Sequence, residues 1–256
     1  MIREKNIISG MMYEAEFYPV FKNGRRVPSR GKRENPSSPE QVNLNDKNAR
    51  KKLIRLVNAN FGKNDIVVHG TYKDAEMPAS EKECRRDIQN YIRRVKRYRK
   101  KNGLPEMKYV YVIESKVSKK TGLVKYHFHM IMNKMDRDVA EEMWPHGDWV
   151  NADRLQPNEK GCEALAKYLI KKPEGSKRWA QSKNLKKPRV SKPKDNRISH
   201  RYLKTLCTER VDDREYWEKR YKGYRFVEAT AQYNSFNGYW YLSVVMYKKD
   251  AERMIL

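Results

Sequence analysis

Two histidines separated by one large apolar residue, His127-Phe128-His129, lie in a run of strand formers from Tyr126 to Asn133. Alternate side chains of a strand share a face, so His127, His129 and Ile131 point one way. Tyr126, Phe128, Met130 and Met132 point the other way, toward a core. Imidazoles held side by side on a rigid strand are a start for a metal site; a sheet face that happens to carry two histidines is the plainer alternative. Glu114 ends the preceding strand-like run, where an antiparallel hairpin brings it beside the histidines. Two imidazoles and a carboxylate, with positions open for substrate oxygens, suit Mn²⁺ or Mg²⁺ acting as a Lewis acid on a phosphate, and zinc fits on ligand type alone. Downstream, Lys167-Tyr168-Leu169-Ile170-Lys171-Lys172 places a tyrosine near the end of an amphipathic helix. Lys171 and Lys172 are its i+3 and i+4 neighbours. A phenol of pKa about 10 is a poor nucleophile at neutral pH. A polarised phosphate and a nearby ammonium help it by neutralising the charge that develops on attack. Read alone, the motif is a surface tyrosine with two lysines that cap the helix dipole.

The elements that must position these groups are legible from periodicity. Tyr13 to Phe21 reads as a strand, residues 23–45 as a loop or arm carrying Arg25, Arg26, Arg30, Lys32 and Arg33, and Lys47 to Phe61 as an amphipathic helix. Ile66 to Tyr72 is a strand. Ser80 and Glu83 open a helix that Gly103 ends. Its apolar stripe is Cys84, Ile88, Tyr91, Ile92, Val95 and Tyr98, and its outer face carries Arg85, Arg86, Arg93, Arg94, Arg97 and Arg99. Tyr109 to Glu114 pairs with the histidine strand through a tip at Lys119 to Gly122. A short helix over Asp136 to Met143, a short strand over Trp149 to Ala152 and a helix over Glu159 to Lys172 follow. Residues 177–196 read as a basic Lys/Pro/Ser linker. Helices near His200 to Leu206 and Asp212 to Tyr221 precede two strands, Tyr224 to Tyr233 and Tyr239 to Tyr247, joined at Asn237-Gly238. This order predicts an α+β fold, a central antiparallel sheet with flanking helices. We divide the chain into a strand and basic arm (1–46), a core (47–175), a linker (176–196) and a C-terminal part (197–256) that either completes the core or stands apart.

With 57 Lys+Arg against 32 Asp+Glu, a net charge of +25 favours a polyanionic partner, nucleic acid first. No long apolar run, lipidation signal or signal peptide is visible, so the expectation is a cytoplasmic protein with no membrane partner. Three scattered cysteines, Cys84, Cys162 and Cys207, fit reduced buried thiols.

The order of motifs resembles the HUH-type rolling-circle replication initiators of plasmids and small single-stranded-DNA phages. Their strand ending in Thr-Tyr is similar to Val68-His69-Gly70-Thr71-Tyr72. Their His-hydrophobe-His strand is similar to His127-Phe128-His129, and their Tyr-x-x-Lys helix to Tyr168-Leu169-Ile170-Lys171. The resemblance covers roughly residues 50–190. It implies a palm- or RRM-like sheet, a Mg or Mn ion held by His127, His129 and Glu114, and Tyr168 attacking a single-stranded or locally melted origin. A 5′-phosphotyrosine and a free 3′-OH result, with Lys171 assisting. A host helicase and DNA polymerase are implied partners. Thr71 and Tyr72 would shape the DNA cleft, and Lys172, Arg85, Arg93 and Arg97 would meet phosphates, a solvated charged face being the alternative. Two departures stand out. Ala164 occupies the position of a second tyrosine, which argues for a single-tyrosine enzyme. His69-Gly70 replaces apolar residues, leaving His69 as a spare ligand, a DNA contact or, as we favour, a polar residue at a strand end. The reading from another class is a non-catalytic single-strand-binding module with an RRM-like sheet.

Overall fold

The computed structural model describes residues 1–21, 39–118, 122–147, 150–169 and 178–249. In chain order the elements are β1 (Ile2–Ser9), β2 (Met12–Pro19), α1 (Pro39–Asn58), β3 (Ile66–Gly70), a 3₁₀ turn (Asp74–Glu76), α2 (Glu81–Lys101), β4 (Tyr109–Val117) and β5 (Val124–Met132). Then come α3 (Arg137–Glu142), β6 (Val150–Arg154), α4 (Glu163–Leu169), β7 (Ala180–Gln181), β8 (Arg189–Val190), β9 (Lys194–Asp195), α5 (His200–Thr208), α6 (Arg214–Arg220), β10 (Tyr224–Asn234) and β11 (Tyr239–Lys248). The fold is α+β as expected, but it has two antiparallel sheets where one was anticipated. They belong to two compact units, Leu56–Asn158 with Cys162–Lys186, and Met1–Arg55 with Glu159–Gly161 and Lys187–Leu256.

The unit containing the histidine strand is built on the sheet β6-β3-β5-β4-β7. One face packs on α2. Ile66, Val68, Tyr111, Phe128, Met130 and Met132 bury against Cys84, Ile88, Tyr91, Ile92 and Val95, each large apolar side chain contributing about 1.5–3 kcal/mol on burial. The helix starts where the sequence says: Ser80 Oγ accepts the Glu83 amide, and the Glu83 carboxylate accepts the Ala79 amide at 2.8 Å. It ends at Gly103, whose φ of 64° is the left-handed conformation that favours glycine. Arg99 is a correction to the sequence reading. It lies 2% exposed rather than on the outer face, donating to the carbonyls of Pro105, Asn133 and Lys134.

The other unit is built on β10-β11-β2-β1-β8, with β9 also on β1. Strand β1 was not expected, because Ile2-Arg3-Glu4-Lys5-Asn6 shows no clean alternation. It forms because both its faces are occupied: buried Glu4 accepts from Arg220 at 2.7 Å and from Tyr221 at 3.0 Å. Tyr13, Ala15 and Phe17 of β2 pack with Trp217, Leu203 and Leu206 of α6 and α5. Glu14 and Glu16 on the opposite face bond Arg55 and Lys51 of α1. That helix begins at Pro39, not Lys47; Arg25, Arg26, Arg30, Lys32 and Arg33 lie outside the described residues. The described part of the segment read as a linker is tied down. Ser182 bonds the backbone of Tyr109, Asn60 that of Lys186, and β8 and β9 add to β1. Local composition gave no sign of these long-range pairings.

Candidate metal and nucleophile site

Sheet register brings the site together. Across β3 and β5, His69 is paired with His129; across β4 and β5, Glu114 is paired with His127 and Val112 with His129. Residues opposite one another share a face, so His69, His127, His129 and Glu114 converge on the face away from α2. The His69 and His129 rings are 4.3 Å apart, and His127 is 5.4 Å from His69 and 5.3 Å from His129. One ligand nitrogen from each falls within 4.8 Å of the others. Glu114 lies 3.1 Å from His127 Nε2 and 4.0 Å from His129 Nε2. Gly70 permits this register. It sits opposite Phe128, and a Cβ on it would be 2.1 Å from Phe128 Cε1. The buried ring between the two histidines therefore occupies the place where any other residue's side chain would begin.

Burial, and then the neighbouring His69, push His129 down to about 4. Burial and His127 likewise lower His69. Both imidazoles are neutral at pH 7 and keep a lone pair. The hydrogen bond from His127 holds the Glu114 carboxyl below its ordinary value. Among the described residues His129 Nε2 is buried with no hydrogen-bond partner. An unsatisfied buried polar atom is costly, and a divalent cation accepted by His129, His69, His127 and Glu114 would satisfy it. The donor set fits a metal ion.

Tyr168 stands beside this cluster. Its ring meets that of His129 edge-on, 5.1 Å between centroids, while 49% of the residue remains exposed. Helix α4 is held by buried Ala166 and Leu169 and by the Cys162 amide, which donates to Asn58 Oδ1 at 2.8 Å. Lys171 and Lys172 lie outside the described residues. Of the residues singled out from sequence, His127, His129, Glu114 and Tyr168 are thus brought together. His69 joins them, although we had favoured reading it as a strand-end polar residue; its pairing across from His129 was the signal, and it needed the β3–β5 register.

The remaining residues are placed elsewhere. The Thr71 carbonyl accepts the Trp144 indole N–H at 2.7 Å. Tyr72 is a core residue, 7% exposed, with its ring 5.2 Å from Trp144 and its hydroxyl 3.4 Å from Asp87. Arg85 is paired with Glu81, Arg93 bonds Asn90, and Arg93 and Arg97 are exposed. All three are on α2, across the sheet from the histidines.

The site therefore combines a donor set for a divalent cation with a neighbouring phenol. A family model for replication-associated proteins of the ORF2 type matches residues 66–173, from the first residue of β3 to beyond α4. The match takes in His69, Glu114, His127, His129 and Tyr168, and it supports a replication initiator family and an interaction with DNA. No curated protein and no solved structure matched the chain. Among the described residues, no helix is long and apolar enough to cross a membrane.

Proposed function

We propose that the protein is an HUH-type rolling-circle replication initiator that nicks and rejoins single-stranded origin DNA through Tyr168. The observation that carries this reading is the edge-on contact of Tyr168 with His129, inside a cluster of three histidines and a carboxylate. His69, His127, His129 and Glu114 would hold a divalent ion, which when bound supplies Lewis-acid polarisation of the scissile phosphate. Three imidazoles with one carboxylate suit Mn²⁺ better than Mg²⁺, which prefers oxygen ligands. Tyr168 Oη attacks phosphorus and loses its proton. The bond from phosphorus to the 3′ oxygen breaks, and the released 3′-OH takes up a proton. A 5′-phosphotyrosine remains, conserving the phosphodiester for rejoining. Lys171, three residues on in the sequence, would offset charge on the phosphate. The free 3′-OH suits extension by a host DNA polymerase, with unwinding by a host helicase. The test is incubation with origin-bearing single-stranded DNA and Mn²⁺. A protein–DNA adduct on a denaturing gel, absent in Tyr168→Phe, is expected. An adduct that persists in that variant would remove Tyr168 as nucleophile, and no adduct on a cognate origin would sink the nicking reading.

A further inference from the structure

The β10–β11 hairpin belongs to the unit outside the matched residues 66–173, and its far end has a composition unlike the rest of the chain. From Thr230 to Ser243 there is no Lys, Arg, Asp or Glu, although 35% of the chain is charged. The same stretch carries Tyr233, Phe236, Tyr239, Trp240 and Tyr241. Such a run would ordinarily be core. Here Phe236 is 97% exposed and Tyr233 51% exposed. Tyr233 lies 5.2 Å from Trp240 across the strands, giving a broad aromatic face with Phe236 at the apex.

The apex is held in place by its own hydrogen bonds. Asn234 pairs with Tyr239 across the hairpin. The Gly238 amide closes on the Asn234 carbonyl at 2.8 Å, with Gly238 at φ 70°. Asn234 Oδ1 accepts the Phe236 amide at 3.0 Å and Asn237 Oδ1 the Tyr239 amide at 3.1 Å, while Asn237 donates to Tyr241 Oη at 2.8 Å. The exposed ring is thus presented by a structured turn, so little ordering entropy is lost when something stacks on it. The surroundings are cationic. The His200 ring, at the start of α5, is 4.6 Å from Tyr239. Arg201 and Lys204 follow it, both exposed, and neither forms an ion pair among the described residues. Lys47 reaches Gln232 at 3.5 Å.

We propose that this end of the hairpin is a second nucleic-acid site, a stacking platform for the unpaired bases of single-stranded DNA. Aromatic faces beside cations are the combination that tracks single strands: every base has a π-face, and the phosphates meet the cations. A purely apolar protein partner would not call for the cations, and a duplex offers no free base faces. The site uses neither Tyr168 nor the histidine cluster, so it stands or falls independently of nicking.

The full-length protein, titrated against dye-labelled oligothymidylate by fluorescence anisotropy, tests this. Phe236→Ala and Tyr233→Ala should each weaken binding about fivefold or more, with the salt slope unchanged, while Phe236→Trp retains affinity. Arg201→Ala should lower the salt slope by about one. Photocrosslinking to 5-iodouracil oligonucleotides should map to Tyr233, Phe236 or Trp240. Wild-type affinity in both alanine variants, with crosslinks confined to residues 66–173, would overturn the proposal. So would a preference for oligouridylate RNA over DNA, or loss of binding to anionic vesicles in Phe236→Ala with DNA affinity intact.

Discussion

Gly70→Ala is the substitution that most directly tests how the histidine cluster is assembled. The added Cβ would meet Phe128 Cε1 at 2.1 Å, Cζ at 2.4 Å and Cδ1 at 2.9 Å. All three are deep inside van der Waals contact. The ring cannot swing aside cheaply, since Phe128 is 0% exposed and packs 4.7 Å from Trp144 and 6.0 Å from Tyr91. Overpacking of this kind costs about 1–3 kcal/mol, and replacing a strand glycine returns about 0.5–1 kcal/mol, so a net loss of about 2 kcal/mol is expected. In urea unfolding with a slope near 2 kcal/mol/M, that lowers the midpoint by about 1 M. Phe128→Leu removes the two closest ring atoms and on its own costs about 1–2 kcal/mol as a large-to-small change. If the clash is the cause, the double variant is more stable than the sum of the singles by about 1 kcal/mol or more, a coupling typical of contacting residues. Gly70→Ala should also weaken Mn²⁺ binding, because β3 must shift to admit the methyl group and carries His69 with it. Additivity within about 0.5 kcal/mol, or an unchanged unfolding midpoint in Gly70→Ala, would refute the account.

Three further outcomes follow from the same geometry. His69→Ala should lower Mn²⁺ affinity at least about tenfold by calorimetry, since loss of a mere outer-shell partner already costs about 10–100-fold; unchanged affinity would restore His69 to a plain strand-end residue. Arg99→Met keeps the stem but strands three backbone acceptors, and should cost about 2–4 kcal/mol by thermal unfolding, whereas a loss below about 0.5 kcal/mol would mean the guanidinium is idle. For Glu16, burial acts to raise the carboxyl, but the hydrogen bonds from Lys51 and Arg55 prevail and hold it at about 2, against an ordinary 4.5. A depressed carboxyl stabilises the fold fully above its unfolded value and loses that contribution as pH falls through the folded one. The stability difference between wild type and Glu16→Gln should therefore be about 1–2 kcal/mol near pH 6, after allowance for solvent screening. It should shrink between about pH 4.5 and 2; a difference that grows on acidification would reverse the sign of the linkage.

What could be read from sequence was local. The Ser80–Glu83 cap, the stripe from Cys84 to Val95, the turn before Tyr239 and the face alternation at His127 and His129 are all decided within a few residues, and the structure has each of them. What could not be read depends on pairing over long separations. Glu4 looked like a surface acid until Arg220 and Tyr221, more than two hundred residues on, made it a buried acceptor. Arg99 looked like one more outward arginine, yet it answers carbonyls of Asn133 and Lys134 that become accessible only once β5 is in the sheet.

His69 joins the two kinds of information. Its residue type was plain, and the glycine after it looked like a departure from the pattern. The structure makes Gly70 the reason His69 is useful. Phe128 must point into the core for His127 and His129 to point out of it, and Phe128 fits only against a residue without a side chain. With Gly70 opposite Phe128, the two-residue period of a strand leaves His69 opposite His129 and on its face. A one-residue slip would turn His69 into the α2 core and leave a Cβ against the ring. The packing of one phenylalanine on one glycine thus sets the third nitrogen of the cluster, and the Gly70→Ala experiment measures that link directly.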